Sequence, residues 1–215
     1  MKLLNKFVER VSTKNRTKKM NIALEYLKDK NTTILDLGVD PTVNGNTNYF
    51  EKWFKDENKV TCMGRFADFT EFRKMFPKYE VIEFDGFNFP PFKEKFDFVF
   101  CNAVIEHVGD RNTQIEWLKN VGNISKILFI TTPNRNIPFE VHTRTFFIHW
   151  LPENLRKFFY RILKKTNESK DLWLLSKKDF KEILDKAGFK ILRIVKNKFL
   201  FFTIDYAIIA EPKKS

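Results

Sequence analysis

Thr33-Ile34-Leu35-Asp36-Leu37-Gly38-Val39 is the stretch that decides the fold. Its β-branched and aliphatic residues read as a short strand, and the run breaks into a turn rich in Asp40, Pro41, Asn44, Gly45 and Asn46. From about Asn48 the apolar spacing becomes helical, with Tyr49, Phe50, Trp53 and Phe54 as its content. Asn48 and Glu51 have the separation of a capping pair at the start of that helix.

The same alternation continues downstream. Residues 59–63 read as a second strand, and Asp68-Phe69-Thr70-Glu71 opens a helix with Phe69, Phe72, Met75 and Phe76 inward, stopped by Pro77. Residues 79–84 form a third strand ending at Asp85-Gly86. Residues 96–101 are almost wholly apolar, as a strand covered on both faces should be. A helix around 112–121 then leads to a fifth strand over 126–131. Strand and helix alternating over 33–131 predict a parallel, doubly wound α/β sheet.

The end of the chain has a different rhythm. Ser176-x-x-Asp179 is a capping box for a helix with Phe180, Ile183, Leu184 and Ala187 on one stripe and Gly188 just past its end. Two β-rich runs follow, 189–195 and 200–210, joined at Lys196-Asn197-Lys198 in what reads as a hairpin. Five parallel strands and this terminal antiparallel hairpin give an open seven-stranded sheet, in one domain over residues 1–215.

Two segments lie outside that rhythm. Residues 1–30 read as basic leading helices. In the first, Leu3, Leu4, Phe7, Val8 and Val11 recur at helical spacing against Lys2, Lys6, Arg10 and Lys14, either as a packed helix or as a surface anchor. A second helix carries Ile22, Ala23, Tyr26 and Leu27. Residues 133–175 are too long for a plain connection and read as an inserted lid or substrate-binding segment. The insertion holds Phe139, Phe146, Phe147, Trp150 and an amphipathic helix with Leu155, Phe158, Phe159, Ile162 and Leu163.

Composition sets the outer limits. The 215 residues are 43% hydrophobic and 31% charged, enough to bury a core, and no stretch is apolar for long enough to span a membrane. The first 20 residues lack a secretory leader pattern, so a cytoplasmic location is expected. Cys62 and Cys101 stand far apart without a paired motif, so neither a disulfide scaffold nor a metal site is expected. The net charge of +12 is uneven: residues 1–20 carry seven Lys or Arg and one Glu, and residues 151–170 six basic and two acidic residues. Such an excess suits a polyanion or an anionic membrane surface. The abundance of Lys, Asn, Ile and Phe throughout explains it equally well as a compositional bias.

Residues 33–46 resemble motif I of the class I S-adenosylmethionine-dependent methyltransferases, a hydrophobic strand followed by D/E-x-G-x-G-x-G. Asp36 and Gly38 match its acid and first glycine, whereas Asp40 and Thr42 stand at the later glycine positions. Asp85 ahead of Phe89-Pro90-Pro91-Phe92 is similar to the family's D-x-x-x-L-P-F. Phe96-Asp97-Phe98-Val99-Phe100-Cys101-Asn102-Ala103-Val104-Ile105-Glu106-His107-Val108 resembles its F-D-x-V-x-x-x-x-V-x-E-H-V segment. Order and spacing agree over about 31–132 and 176–210. Thr132-Pro133-Asn134-Arg135, Glu140-x-His142-Thr143 and His149-Trp150-Leu151-Pro152 are similar to a bacterial branch linked to surface polysaccharide or lipid-linked glycan synthesis.

The resemblance implies a Rossmann-like sheet, S-adenosylmethionine as cofactor, and these roles. Asp36 orients the methionine amino group, and Gly38 allows close approach of the backbone. Asp85 accepts from the adenine amino group with Gly86 beside the ring, and Asn102 and Ala103 floor the transfer site. The family's acid after the second strand is absent, since Met63-Gly64-Arg65 stands there; Asp68 reads instead as a helix cap. Asp97 reads as structural. A general base is sought among His107, His142, His149 and Glu140, with His142 and His107 favoured because imidazole titrates near neutrality. His149 beside Trp150 reads as packed.

The expected activity is therefore methyl transfer to a small molecule or glycan, most simply at oxygen, with peripheral contact to an anionic membrane. Two alternatives stay open. One is an RNA methyltransferase using the positive charge, although no RNA-binding module and no N/D-P-P-Y/F ending to the fourth strand are present. The other is a non-catalytic interaction protein that retains the fold. A nicotinamide-dependent oxidoreductase is disfavoured by the absence of G-x-G-x-x-G.

Overall fold

The computed structural model describes residues 2–27, 29–43, 47–55, 59–140, 143–166, 172–199 and 201–214, with the backbone alone for 2–12. The turn residues Asn44, Gly45 and Asn46, the side chains of Leu3, Leu4, Phe7, Val8 and Val11, and His142 lie outside the described positions.

The chain opens with α1 (Lys2–Leu24), one continuous helix where two were expected. No Gly or Pro interrupts this stretch, so nothing breaks the helix before Leu24. Ile22 and Ala23 are buried in its last turn and Leu27 just beyond it, while Tyr26 stacks on Phe98 at 6.2 Å.

The alternating segment then builds β1 (Ile34–Leu37), α2 (Tyr49–Trp53), β2 (Val60–Arg65), α3 (Thr70–Met75), β3 (Glu80–Phe84), β4 (Phe96–Asn102), α4 (Arg111–Ile124) and β5 (Ser125–Pro133). The insertion carries a short ribbon of β6 (Phe139–Glu140) and β7 (Thr145–Phe146), a 3-10 turn (Ile148–Trp150) and α5 (Glu153–Ile162). The chain ends with α6 (Lys177–Lys186), β8 (Phe189–Phe199) and β9 (Phe202–Pro212).

The seven-stranded sheet has the order β3-β2-β1-β4-β5-β9-β8, and β9 runs antiparallel to both neighbours. β1 pairs in parallel with β2 on one side and β4 on the other. The strand order therefore reverses at β1, and open α/β sheets of this kind bind ligands outside the carboxyl ends of the strands at that point.

Period-two alternation divides the core. Leu35, Leu37, Val99, Cys101, Leu128 and Ile130 face Trp117, Leu118, Phe180 and Leu184. Ile34, Cys62, Phe98, Phe100 and Phe129 face Met20, Phe50, Phe54 and Phe72. Asp36 lies on this second face, in register with Cys62 and Phe100.

Three local expectations are corrected, and one feature of the insertion is added. Asn48 does not cap α2: it has left-handed backbone (φ 50°) and makes no cap bond. Its side-chain amide instead accepts from the Asp40 N–H at 2.9 Å and donates to the carbonyls of Asp40 and Thr42. Met75 is half exposed, because Phe69, Phe72 and Phe76 already complete the inward stripe. Lys196-Asn197-Lys198 is strand, because Asn197 donates to Asp205 at 2.5 Å across the ladder, and the reversal falls between Phe199 and Phe202. The apolar stripe of α5 is exposed, with only Tyr160 buried.

Other local readings hold. Ser176 and Asp179 form a reciprocal capping box on α6, and Gly188 takes a left-handed φ of 84° after it. Cys62 and Cys101 are free and buried. Among the described residues, no helix is long and apolar enough to cross a membrane.

Candidate functional site

Gly38 begins the loop at the switch point. Its φ of 103° lies in the region that favours glycine, and a Cβ there would stand 2.2 Å from Val104 Cγ2. The close approach Gly38 permits in this structure is thus to the segment after β4, and it draws the β1 and β4 loops together. Its N–H and that of Val39 both donate to the Met63 carbonyl, tying the same loop to β2. Asn48 clamps the next turn, and Asp40 Oδ1 accepts from the Thr42 N–H and hydroxyl.

Between these loops lies a cavity of about 360 Å3, a volume within the ~300–1,000 Å3 of small-ligand sites. Asp36, Gly38 and Asp40 line one side; Asn102 and Ala103, at the end of β4, line another. Ala103 is left-handed (φ 58°), a strained conformation for a residue with a Cβ. Its N–H is held by Thr131 Oγ1 at 3.0 Å, while the Thr131 hydroxyl donates to Asn102 Oδ1 at 2.9 Å.

Asp36 is buried beside Glu51 of α2, itself buried. Burial first, then the Glu51 charge and their mutual hydrogen bond, push the Asp36 carboxyl well above the ordinary carboxylate range. The Cys62 thiol donates to Glu51 Oε1 at 3.3 Å. The floor of the cavity is therefore a buried carboxyl whose charged form is disfavoured by its surroundings and would be favoured by an incoming cation.

The third wall comes from α1, which sequence reasoning assigned to packing or anchoring. Lys19 is buried; its ammonium donates to Asn102 Oδ1 at 3.0 Å and lies 3.7 Å from Asp205. Arg16 sits over the Tyr49 ring at 5.7 Å, and burial lowers its pKa. Arg16 Nη1 is buried without a hydrogen-bond partner among the described residues. Nothing local in the sequence marks these two cations, because their partners are far away along the chain.

Asp85 does not line this cavity. Its exposed carboxylate accepts from the Asn88 N–H at 2.7 Å, the Phe87 N–H at 2.8 Å and the Asn88 side-chain amide at 2.6 Å, which hold its pKa down. Gly86, with φ 95°, accepts from Trp117 Nε1 through its carbonyl at 3.0 Å, and the Arg65 side chain lies over it. Asp68 accepts from the Thr70 N–H at the start of α3, and Asp97 binds Thr33 and Lys126 at the strand entry.

The base candidates separate. His107 is exposed on a 3-10 turn (Ile105–His107) after β4. Glu140 is buried and accepts from the Thr143 N–H and hydroxyl, a turn-holding role. His149 is buried against Trp150, and its Nε2 reaches the Arg135 and Ile137 carbonyls at 3.1 and 2.9 Å. Burial lowers its pKa and so favours the neutral ring, with Nδ1 unpartnered among the described residues.

His149 also lines a second cavity, of about 350 Å3, between α4, α5 and the segment before α6. Arg111, Arg135 and Arg156 edge it, with Tyr160 and Trp173 in its wall. Arg111 is engaged by Asp179 and Glu182. Among the described residues, no cluster of His, Cys, Asp and Glu side chains is arranged to hold a metal ion.

A family model described as methyltransferase domain matches residues 3–194 of the chain. Among curated proteins, none matches the sequence. An S-adenosylmethionine-dependent methyltransferase from Clostridium acetobutylicum superimposes with a TM-score of 0.60 at 13% identity, over 99% of this chain and 100% of that one. A 1,6-didemethyltoxoflavin-N1-methyltransferase from Burkholderia thailandensis, solved with 1,6-didemethyltoxoflavin and S-adenosylhomocysteine, gives 0.60 at 12% identity, over 99% and 88%. The [4+2]-cyclase SpnF gives 0.62 at 10% identity, over 93% and 81%. At these identities the likeness to the solved structures is one of fold. The family match extends over most of the chain, and the chain belongs to the methyltransferase domain family.

Proposed function

We propose that this methyltransferase-domain protein transfers a methyl group from S-adenosylmethionine to an oxygen of a small molecule or glycan, in the synthesis of surface polysaccharide. The observation that carries the reading is the pairing of opposite chemistries in one cavity at the switch point. The Asp36 carboxyl lines it from below, and Lys19 and Arg16, whose Nη1 has no hydrogen-bond partner among the described residues, line it from α1. A ligand with both an ammonium and a carboxylate fits this donor set, and the methionine end of the cofactor has both.

When bound, the cofactor supplies an activated sulfonium methyl, so the protein's task is alignment and exclusion of water. Asp36, with Glu51 behind it, takes the ammonium; Arg16 and Lys19 take the carboxylate. Asn102 is fixed by Lys19 and Thr131, and Ala103 by Thr131, so the end of β4 is held rigid beside the reacting groups. The second cavity is assigned to the acceptor. Arg135 and Arg156 have no carboxylate partner among the described residues, which suits an acceptor carrying phosphate or carboxylate. His149 contributes to its wall while its Nδ1 is buried, and His107 and His142 remain the bases suggested by sequence. The protein works in the cytoplasm.

The fold also supports a non-catalytic interaction reading, favoured by the engagement of Asp36 with Glu51, which occupies part of its hydrogen-bonding capacity. RNA is the other acceptor class, favoured by the +12 charge. Incubation with methyl-labelled S-adenosylmethionine and, in parallel, nucleotide-linked glycans, lipid-linked glycans and RNA separates the three. Label in a glycan fraction is the expected result. Label in RNA alone, or in nothing while the cofactor binds, overturns the glycan reading.

A further inference from the structure

Helix α5 is built as an amphipathic helix, yet its apolar stripe is not turned into the core. Leu155, Phe158, Phe159 and Ile162 follow the spacing of one helical face. Phe158 is 55% and Ile162 59% exposed, and the helix meets the protein through Tyr160, which is buried, and the half-buried Arg156. The 3-10 turn that packs on α5 continues the pattern. Its Trp150 stands edge-on to Phe147 at 5.3 Å, and Phe146 and Phe147 are both exposed.

Basic residues outnumber acids on and just after the helix. Residues 151–166 carry five Lys or Arg against one acid, Glu153, which is paired with Lys157 at 2.5 Å. Lys157 and Arg161, one turn apart and both exposed, lie on another face of the helix from the apolar residues, and Lys164 follows just past its end. The β8–β9 hairpin tip leaves from the same rim of the sheet as the insertion, since Asp205 is in register with Pro133. There Phe201 is 95% exposed, near Lys198.

We propose that α5 is an interfacial helix that seats this protein on an anionic lipid surface. Exposed phenylalanine and aliphatic side chains on a helix whose polar surface carries an excess of Lys and Arg match the boundary between acyl chains and acidic headgroups. Two other occupants fit less well. The centre of a protein–protein interface is depleted in lysine. Single-stranded nucleic acid would stack on rings, and Leu155, Ile162 and Leu163 offer none. The inference stands apart from the catalytic reading, since a helix of this character would dock whatever the domain does.

Sedimentation of the full chain with phosphatidylcholine vesicles and with mixed phosphatidylcholine–phosphatidylglycerol vesicles tests it. The protein is expected to pellet with the mixed vesicles, less at high ionic strength. Phe158→Glu/Ile162→Glu should reduce binding about tenfold or more while leaving the circular-dichroism melt in place, since neither side chain is in the core. Lys157→Glu/Arg161→Glu is the second variant, and it should weaken binding to the anionic vesicles without altering the melt. Absence of wild-type protein from the mixed-vesicle pellet, or wild-type-level binding by both variants, overturns the proposal. So does a wild-type dimer in analytical ultracentrifugation that Phe158→Glu/Ile162→Glu dissociates, because the face would then belong to a second copy.

Discussion

Lys19, in the helix that precedes the sheet, donates a hydrogen bond at 3.0 Å to Asn102, the last residue of the central strand β4. One contact between residues far apart in sequence thus fixes the leading helix over the carboxyl ends of the strands. It also uses a cation where composition alone suggested a solvated or polyanion-binding charge. Lys19→Met should destabilise the fold by about 1–3 kcal/mol, because Asn102 and Asp205 lose a buried charged partner. Chemical denaturation measures this. An unchanged midpoint would mean that the helix is not anchored through this residue.

Gly38 and Val104 make a steric prediction. Gly38→Ala introduces a Cβ into both a left-handed backbone and the Val104 side chain, and should cost about 1–3 kcal/mol. Val104→Ala in the same chain removes the clash but not the backbone strain, so urea melts should recover only part of the loss. Full recovery would assign the whole effect to packing.

The Asp36–Glu51 pair gives a pH dependence whose sign is fixed. The folded-state pKa of Asp36 is raised, so its stabilising contribution is complete below the unfolded carboxylate value. That contribution is lost as pH rises through the folded value. Asp36→Asn should flatten this loss, and denaturation midpoints across the range compare the two proteins. Because a cationic ligand favours the ionised acid, affinity for S-adenosylhomocysteine should rise with pH over the same window in the wild type and not in Asp36→Asn. Parallel pH profiles would show that Asp36 does not ionise on binding.

His149 anchors the insertion through two backbone carbonyls. His149→Leu should cost about 1–2 kcal/mol and increase hydrogen exchange in residues 133–163 while leaving α6 protected. Uniform exchange across both segments would mean that the insertion is not held by this ring.

The sequence reading succeeded where the controlling interactions are local. Alternating strands and helices, the Ser176–Asp179 box and Gly188 are each encoded within a few residues, and all are present. It failed where the partner is distant. Asn48 and Glu51 have capping spacing, but Asn48 is drawn to Asp40 and Thr42, while Glu51 turns under the sheet to meet Asp36 and Cys62. Lys196-Asn197-Lys198 has turn composition, yet edge strand β8 tolerates polar residues and Asn197 finds Asp205 across the ladder. Arg16 and Lys19 belong to a basic segment indistinguishable from any solvated helix until the sheet is folded beneath it. For α5, periodicity revealed an apolar face and could not say what covers it.

Calorimetric titration of S-adenosylhomocysteine into the full chain bears most directly on the cavity at the switch point. Saturable binding is expected, with Arg16→Ala and Asp36→Ala each weakening it by about tenfold or more, roughly 1.4 kcal/mol apiece. Undetectable binding at high ligand concentration, or binding that neither substitution alters, would contradict the assignment of that cavity to the methyl donor.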